Sequence, residues 1–302
     1  MDKILVPPIK CQGIKTKIIP LILENTSFNY SGKWIEPFMG SGVVGINVKP
    51  KNAIFNDINP HIINFYSAIN EKKITADIVR TYLSQEGKNL ESEGQAHYYK
   101  IRKRFNEEKN ILDFLFLSRA CFNGMIRFNR KGFFNVPFCK KPQRFSKAYI
   151  TKIVNQVKQV YQILYFNKWI FTNKDFREII GNATPNDLIY CDPPYFGRHV
   201  DYFNSWSEKD EYDLYICLKN TKARFILSTW YKNTFRENTS INNFWREFNI
   251  ITKEHFYHIG GQVENRNSML EALVMNFTPR PEPIKIKRNI EYEYDLFQAV
   301  GL

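Results

Sequence analysis

One local pattern limits more than any other what this chain can fold into. Residues 33–38, Lys-Trp-Ile-Glu-Pro-Phe, read as a buried strand and run straight into Gly40-Ser41-Gly42-Val43-Val44-Gly45. A GxGxxG that ends a strand and opens an apolar helical stretch lets the backbone turn tightly. It also brings that backbone close to a ligand at the positive end of the helix. Ala53-Ile54-Phe55 then reads as a second strand, closed by Asn56-Asp57. Strand, glycine turn, helix and strand make one βαβ unit, the seed of a parallel sheet. Asp57, at the end of the second strand, is placed to accept hydrogen bonds from ribose hydroxyls. The loop alone would suit a NAD enzyme equally well, or a packing turn with no ligand.

The rest of the chain fits around that unit. From about residue 60 to 158 the apolar residues follow helical periodicity, broken by a basic stretch at 121–145 that is rich in Asn and Phe. Strands resume at 169–172, 188–191 and 224–228. Residues 254–259 and 272–277 read as an antiparallel pair across Gly260-Gly261. The expected fold is α/β, a doubly wound Rossmann-like sheet split in sequence between residues 1–59 and 159–280. Residues 60–158 form a mainly helical insert, and residues 281–302 a tail with no legible motif.

Composition narrows the class. A chain of 302 residues buries roughly three-quarters of its unfolded surface, so it needs no disulfide staple. The five cysteines are scattered and never form a CxxC pair, which speaks against a disulfide framework and a zinc site. His199, His255 and His258 lack the nearby carboxylate pairs and the spacing of metal ligands, so no metal is expected. The first residues carry no signal-peptide core, and apolar runs such as 18–23 and 114–117 are too short to span a bilayer. A soluble, cytoplasmic protein with no membrane partner is expected. The formal net charge is +13, and residues 100–147 hold thirteen Lys and Arg against three acids. Most of the excess therefore sits in one patch, which suggests a polyanionic partner.

Asp192-Pro193-Pro194-Tyr195 follows the strand at 188–191, at the carboxyl end where open α/β sheets place their ligands. Asp-Pro-Pro also favours plain turns, but a particular chemistry accounts for every residue. An adenine amino group is a poor nucleophile because its lone pair is delocalised into the ring. To attack a methyl sulfonium it needs acceptors that draw its N–H bonds out of conjugation and tolerate developing positive charge. The Asp192 carboxylate is one acceptor. The Pro193 carbonyl can be the other, with Pro193 and Pro194 fixing its direction. Tyr195 offers a π-face on which an extruded base can stack.

Glu36-Pro37-Phe38-Met39-Gly40-Ser41-Gly42, Asn56-Asp57-Ile58-Asn59-Pro60 and Asp192-Pro193-Pro194-Tyr195 together resemble the motifs of Dam-type (D12 class, α group) adenine-N6 DNA methyltransferases. Residues 121–138 are similar to that family's DNA-recognition segment, and the likeness runs from about 7 to 278. It implies S-adenosylmethionine as methyl donor, S-adenosylhomocysteine as product, and a methyltransferase sheet carrying a helical target-recognition insert. Lys15 matches an N-terminal lysine that helps bind the cofactor, while Cys11 stands where many members have tryptophan. Glu36, Pro37, Phe38, Gly40, Ser41, Gly42 and Asp57 match the cofactor loop. Asp192 both orients the target amine and borders the methionine moiety. Asp175 and Phe176 match the segment flanking the cofactor's adenine.

Phe122 and Asn123 match positions that enter the duplex or touch bases near the target. Arg127 matches a base-reading arginine, and Asn129, Asn135 and Pro137 share its loop. Arginine can bind guanine O6 and N7 bidentately, and Phe122 can fill the gap left by a flipped base. Lys140, Lys141, Arg144 and Lys147 read as phosphate contacts, which hold register without reading sequence. Stretches 6–17, 126–142 and 197–206 are similar to EcoRV-type modification methyltransferases, which implies GATATC or another GAT-containing site. The resemblance further implies double-stranded DNA as partner, a prokaryotic or phage setting, and a restriction endonuclease that acts on the same site without direct contact. No obligate protein partner is expected. Methylation of cytosine N4, of RNA or of a glutamine side chain uses related Pro-Pro-aromatic loops and stays open as an alternative. So does sequence-specific DNA binding without catalysis.

Overall fold

The structure is a computed structural model that describes residues 3–26, 30–195, 206–233, 236–256 and 268–280. After a short helix α1 (Ile19–Asn25), the strand β1 (Trp34–Glu36), the helix α2 (Val43–Val48) and the strand β2 (Asn52–Asn56) form the βαβ unit expected from the sequence. Helices α3 (Pro60–Asn70), α4 (Ala76–Glu93), α5 (Gln95–Glu108), α6 (Ile111–Ala120) and α7 (Lys147–Phe166) follow. Then come β3 (Lys168–Thr172), α8 (Phe176–Gly181), β4 (Leu188–Cys191), α9 (Glu208–Asn220), β5 (Arg224–Asn233), β6 (Asn249–Phe256) and β7 (Ser268–Met275).

All seven strands join one sheet in the order β3-β2-β1-β4-β5-β7-β6. The first five are parallel, and β7 runs antiparallel between β5 and β6. The antiparallel pair read from the sequence is present, but both strands begin earlier than expected. Ile250 and Ile251 are buried against Val274 and Leu273, which extends β6 back to Asn249. Residues 257–267, with the Gly260-Gly261 loop and His258, lie outside the described residues, as do His199 and the tail from 281.

Side chains alternate across the sheet as a pleated strand requires. Trp34, Tyr190, Ile226, Leu273 and Met275 face one core with α3 and the helical insert. Ile35, Ile189, Phe225, Ala272 and Val274 face a second core with α8 and α9. Because both faces are covered, the central strands are apolar almost throughout. The winding reverses between β1 and β4, so a crevice opens at their carboxyl ends. Both motif loops end there.

The insert has its own polar clamp. Asp113 on α6, with 0% of its surface exposed, accepts hydrogen bonds from Arg104 Nε (2.8 Å) and from the Tyr82 hydroxyl. Arg104 also donates to Glu86 at 3.0 Å. One arginine thus joins α4, α5 and α6 and supplies the partner that a buried carboxylate needs. Asn110 and Ser146 cap α6 and α7. Residues 121–146 form a folded loop, in which Cys121 pairs with Phe138 and Phe128 with Phe134 as isolated antiparallel bridges. Among the described residues, no helix is long and apolar enough to cross a membrane.

Candidate active site and nucleic-acid interface

The glycine loop is shaped by two left-handed residues, Gly40 (φ +53°) and Gly42 (φ +73°). A Cβ at Gly40 would meet nothing within 4 Å, so the loop backbone borders open space there. Asp57 braces it from β2, accepting the N–H of Gly40 at 2.8 Å and that of Asn59 at 2.9 Å. Burial pushes the Asp57 carboxyl up to about 6 against the pull of those two N–H groups. Asn56 locks three strand ends together. Its amide donates to the carbonyls of Pro37 and Lys174, and its oxygen accepts from Thr172 Oγ1 and the Lys174 N–H. The Tyr66 hydroxyl donates to the Ser41 carbonyl from α3. The loop is therefore held from β2, β3 and α3 at once.

Glu36 ends β1 with 1% of its surface exposed and accepts a hydrogen bond from Trp34 Nε1 at 2.7 Å. Burial, aided by the nearby Asp192 charge, pushes its carboxyl up to about 8. One strand over, Asp192 leaves β4 and meets the buried Lys15 ammonium at 2.9 Å. Burial pushes Asp192 up to about 6, opposed by Lys15 and assisted by Glu271. Burial disfavours the Lys15 ammonium in turn, but Asp192, Glu271 and Tyr195 more than offset that, and Lys15 stands above the usual lysine value. Lys15 Nζ also lies 4.8 Å from the centroid of the Tyr195 ring. Pro193 is buried and Pro194 half-buried beside it. Sequence-distant groups from the N-terminal segment, β1, β4 and β7 thus meet in one pocket. There Asp192 and Glu271 face the Lys15 ammonium, and Glu36 lies near Asp192.

On the other side of the loop, Phe38, Phe176 and Trp206 form an aromatic cluster with centroids 5.2–5.5 Å apart. Asp175 caps α8 through the Arg177 N–H at 2.8 Å and pairs with the Arg177 guanidinium at 3.0 Å. The structure therefore brings Phe38 of the glycine-loop motif against Phe176, next to Asp175. Residues 197–205 lie outside the described residues.

The basic loop of the insert sorts into two groups. Phe122 is 49% exposed, and Asn123 beside it is exposed with φ +54°. Arg127 Nε donates to Asn135 Oδ1 at 2.8 Å, which fixes the direction of the guanidinium. Pro137, Lys140, Lys141 and Lys147 are exposed. These side chains are open to solvent. Asn129 and Arg144 also make contacts within the chain. The Asn129 oxygen accepts from the N–H groups of Lys131 and Phe133 and closes the hairpin tip. Arg144 donates to the Arg119 carbonyl and the Tyr149 hydroxyl, at 2.8 and 2.9 Å.

Sequence reasoning passed over three residues. Glu271 accepts a hydrogen bond from the Tyr195 hydroxyl at 3.3 Å; its signal was a lone acid in an apolar strand. Arg119, 3% exposed, donates to the carbonyls of Pro7 (3.0 Å) and Pro8 (2.5 Å) and to Gln156 (2.6 Å), so it pins the N-terminal segment to the insert. Lys10, next along that segment, lies against Gly124 of the recognition loop, where an added Cβ would come within 2.7 Å of its Cδ. Among the described residues, no three His, Cys, Asp or Glu side chains are grouped as a metal site would require.

Known proteins resemble this chain along most of its length. Type II methyltransferase M.MjaIII of Methanocaldococcus jannaschii is 27% identical over 302 residues, covering 90% of this chain and 99% of its own. Retron Ec67 DNA adenine methylase of Escherichia coli is 31% identical over 215 residues, 68% of this chain and 70% of its own. Modification methylase StsI of Streptococcus sanguinis is 26% identical over 91% of this chain, which spans only 43% of that longer relative. A solved rRNA methyltransferase, AviRa from Streptomyces viridochromogenes, aligns with a TM-score of 0.33 at 10% identity over 86% of this chain and 83% of its own, too distant to bear on the fold. The family model described as D12 class N6 adenine-specific DNA methyltransferase matches residues 12–259. With more than half of the chain matched, the protein belongs to the D12 class of N6 adenine-specific DNA methyltransferases.

Proposed function

We propose that this chain methylates N6 of an adenine turned out of double-stranded DNA, with S-adenosylmethionine as donor and S-adenosylhomocysteine as product. The observation that carries the reading is the Lys15–Asp192 pair (2.9 Å) beside Tyr195, at the end of the strand paired with the one that leads into the glycine loop. A NAD-type pyrophosphate would approach the Asp57 and Asp192 carboxylates, both largely ionised near neutral pH. A donor with a sulfonium and an ammonium suits them instead. The open backbone at Gly40 leaves room for such a molecule. Asp57 and the loop residues 36–42 would hold its ribose and methionine ends, and Asp175 with Phe38 and Phe176 its adenine. When bound, it supplies a methyl group on a positively charged sulfur.

The chain's own residues do the rest. The Asp192 carboxylate and the Pro193 carbonyl accept the N–H bonds of the target amine and stabilise its growing positive charge. Lys15 favours the ionised Asp192, the form that can do so, and Tyr195 stacks the base. Asp192 at about 6 is largely ionised near neutral pH. In the insert, residues 60–158, Arg127 held by Asn135 reads a base edge while Phe122 and Asn123 approach the gap in the duplex. Lys140, Lys141 and Lys147 hold phosphates. Residues 1–59 and 159–280 form the catalytic part. GATATC or another GAT-containing sequence is the proposed site, in a prokaryotic or phage restriction-modification system. The matching endonuclease would act on that site without contacting this chain.

Single-molecule sequencing of DNA from cells expressing the protein tests this directly. The expected outcome is N6-methyladenine at one defined site; unmodified DNA, or modified cytosine, contradicts the reading.

A further inference from the structure

Glu271 is the acidic residue of the pocket that no motif announced. It lies on β7 opposite Trp230 of β5 and Lys253 of β6, inside the sheet, with 1% of its surface exposed. Burying a carboxylate there is costly unless charged or hydrogen-bonding partners compensate. Two of its partners, Tyr195 and Lys15, are parts of the proposed catalytic apparatus. The Tyr195 hydroxyl donates to Glu271 Oε2 at 3.3 Å, and Lys15 Nζ stands 4.0 Å from the same oxygen. Lys15 in turn reaches Asp192 and covers one face of the Tyr195 ring.

These contacts close on themselves. Tyr195 is held at its hydroxyl by Glu271 and across one ring face by Lys15. Lys15 is held between two carboxylates rather than swinging on one. The antiparallel placement of β7 beside β5 brings the Glu271 carboxylate under the loop that follows β4.

We propose that Glu271 is a positioning residue for methyl transfer. Through the Tyr195 hydroxyl and the Lys15 ammonium, it fixes the stacking surface and the Asp192 acceptor in one mutual orientation for the entering adenine. The inference rests on the function proposed above. Its energetic logic is that of preorganisation, in which a small misplacement of a catalytic group costs much more in rate than in binding.

The test uses the full chain as wild type, Glu271→Ala, Glu271→Gln, Tyr195→Phe and the double variant Glu271→Ala/Tyr195→Phe. Cofactor and DNA affinities are measured by calorimetry, base stacking by 2-aminopurine fluorescence at the target position, and chemistry by single-turnover methylation. Cofactor and DNA affinities are expected to stay at wild-type values, while Glu271→Ala loses roughly 10-fold or more in single-turnover rate. Glu271→Gln keeps an acceptor for the Tyr195 hydroxyl, so it should retain the fluorescence signal and lose less rate. The double variant should be no slower than the slower single variant, because both break one linkage. A wild-type rate in Glu271→Ala overturns the proposal, as do additive losses in the double variant or a parallel loss of cofactor binding. If Glu271→Ala fails to fold, the same comparison is made with Glu271→Gln and Tyr195→Phe. A wild-type protein that methylates no DNA contradicts the underlying function instead, so the two failures are distinguishable.

Discussion

The Asp57 carboxylate accepts the backbone N–H of Gly40 at 2.8 Å. The acid proposed to meet a ribose is therefore also what fixes the turn of the loop wrapped around it. Cofactor recognition and loop shape depend on one side chain, which makes the pocket testable from both ends.

Asp57→Ala should weaken S-adenosylmethionine binding far more than DNA binding, and NAD should not compete. Gly40→Ala is the complementary probe. A left-handed alanine costs about 1–2 kcal/mol, but its methyl group would point into open space, so the fold should survive. Cofactor affinity should fall at least about 10-fold, or 1.4 kcal/mol. Calorimetry on both variants decides the matter: equal loss of cofactor and DNA affinity would make Asp57 a purely structural brace.

The raised carboxyls make a pH prediction. Glu36 stands at about 8 in the folded chain against its ordinary 4.5. Between those values the folded state binds more protons than the unfolded one, so stability falls as pH rises. Asp57 and Asp192, each at about 6, add the same sign at lower pH, leaving Glu36 dominant between pH 6 and 8. The melting temperature of the cofactor-free protein should therefore drop across that range, by roughly 2–4 °C for each kcal/mol. Glu36→Gln keeps an acceptor for Trp34 and cannot ionise, so its profile should be flatter. Identical slopes for the two proteins would show that Glu36 does not titrate there.

Recognition and phosphate binding should separate. Arg127→Ala is expected to lower discrimination among related sites by about 1–3 kcal/mol. Asn135→Ala should act in the same direction but less, since it frees the guanidinium without removing it. Lys141→Ala should weaken all duplexes alike and reduce the salt slope by about one unit. Competition binding with single-base site variants reads all three. An unchanged specificity profile for Arg127→Ala would remove it from the recognition surface.

How much of this was legible in the sequence follows from how local each signal is. The turn at Gly40, the helix Val43–Val48 and the strand Leu188–Cys191 were readable residue for residue, because glycine conformation and apolar runs are local properties. The insert was readable as helical for the same reason. Glu271 was not, because the strand carrying it was started at Ala272. Its purpose depends on Lys15 and Tyr195, which only the folded sheet brings near. Asn129 was expected at the DNA from the likeness to the family's recognition segment, and Arg144 as a phosphate contact. In the fold, the Asn129 carbonyl is taken by its own turn and the Arg144 guanidinium by Arg119 and Tyr149. Side-chain commitment of that kind is invisible to spacing.

The central claim is that the Asp192 carboxylate stabilises the attacking amine. Asn in its place keeps the size and one acceptor oxygen but loses the charge that meets the developing positive nitrogen. The decisive measurement is single-turnover methylation by purified Asp192→Asn, with cofactor and DNA both shown to be bound. Specific DNA binding should survive, and the rate of N6-methyladenine formation should fall by about 10²–10³-fold, as for other preorganised electrostatic groups. A near wild-type rate would contradict it, and Asp192 would then be only the residue that turns the chain after β4.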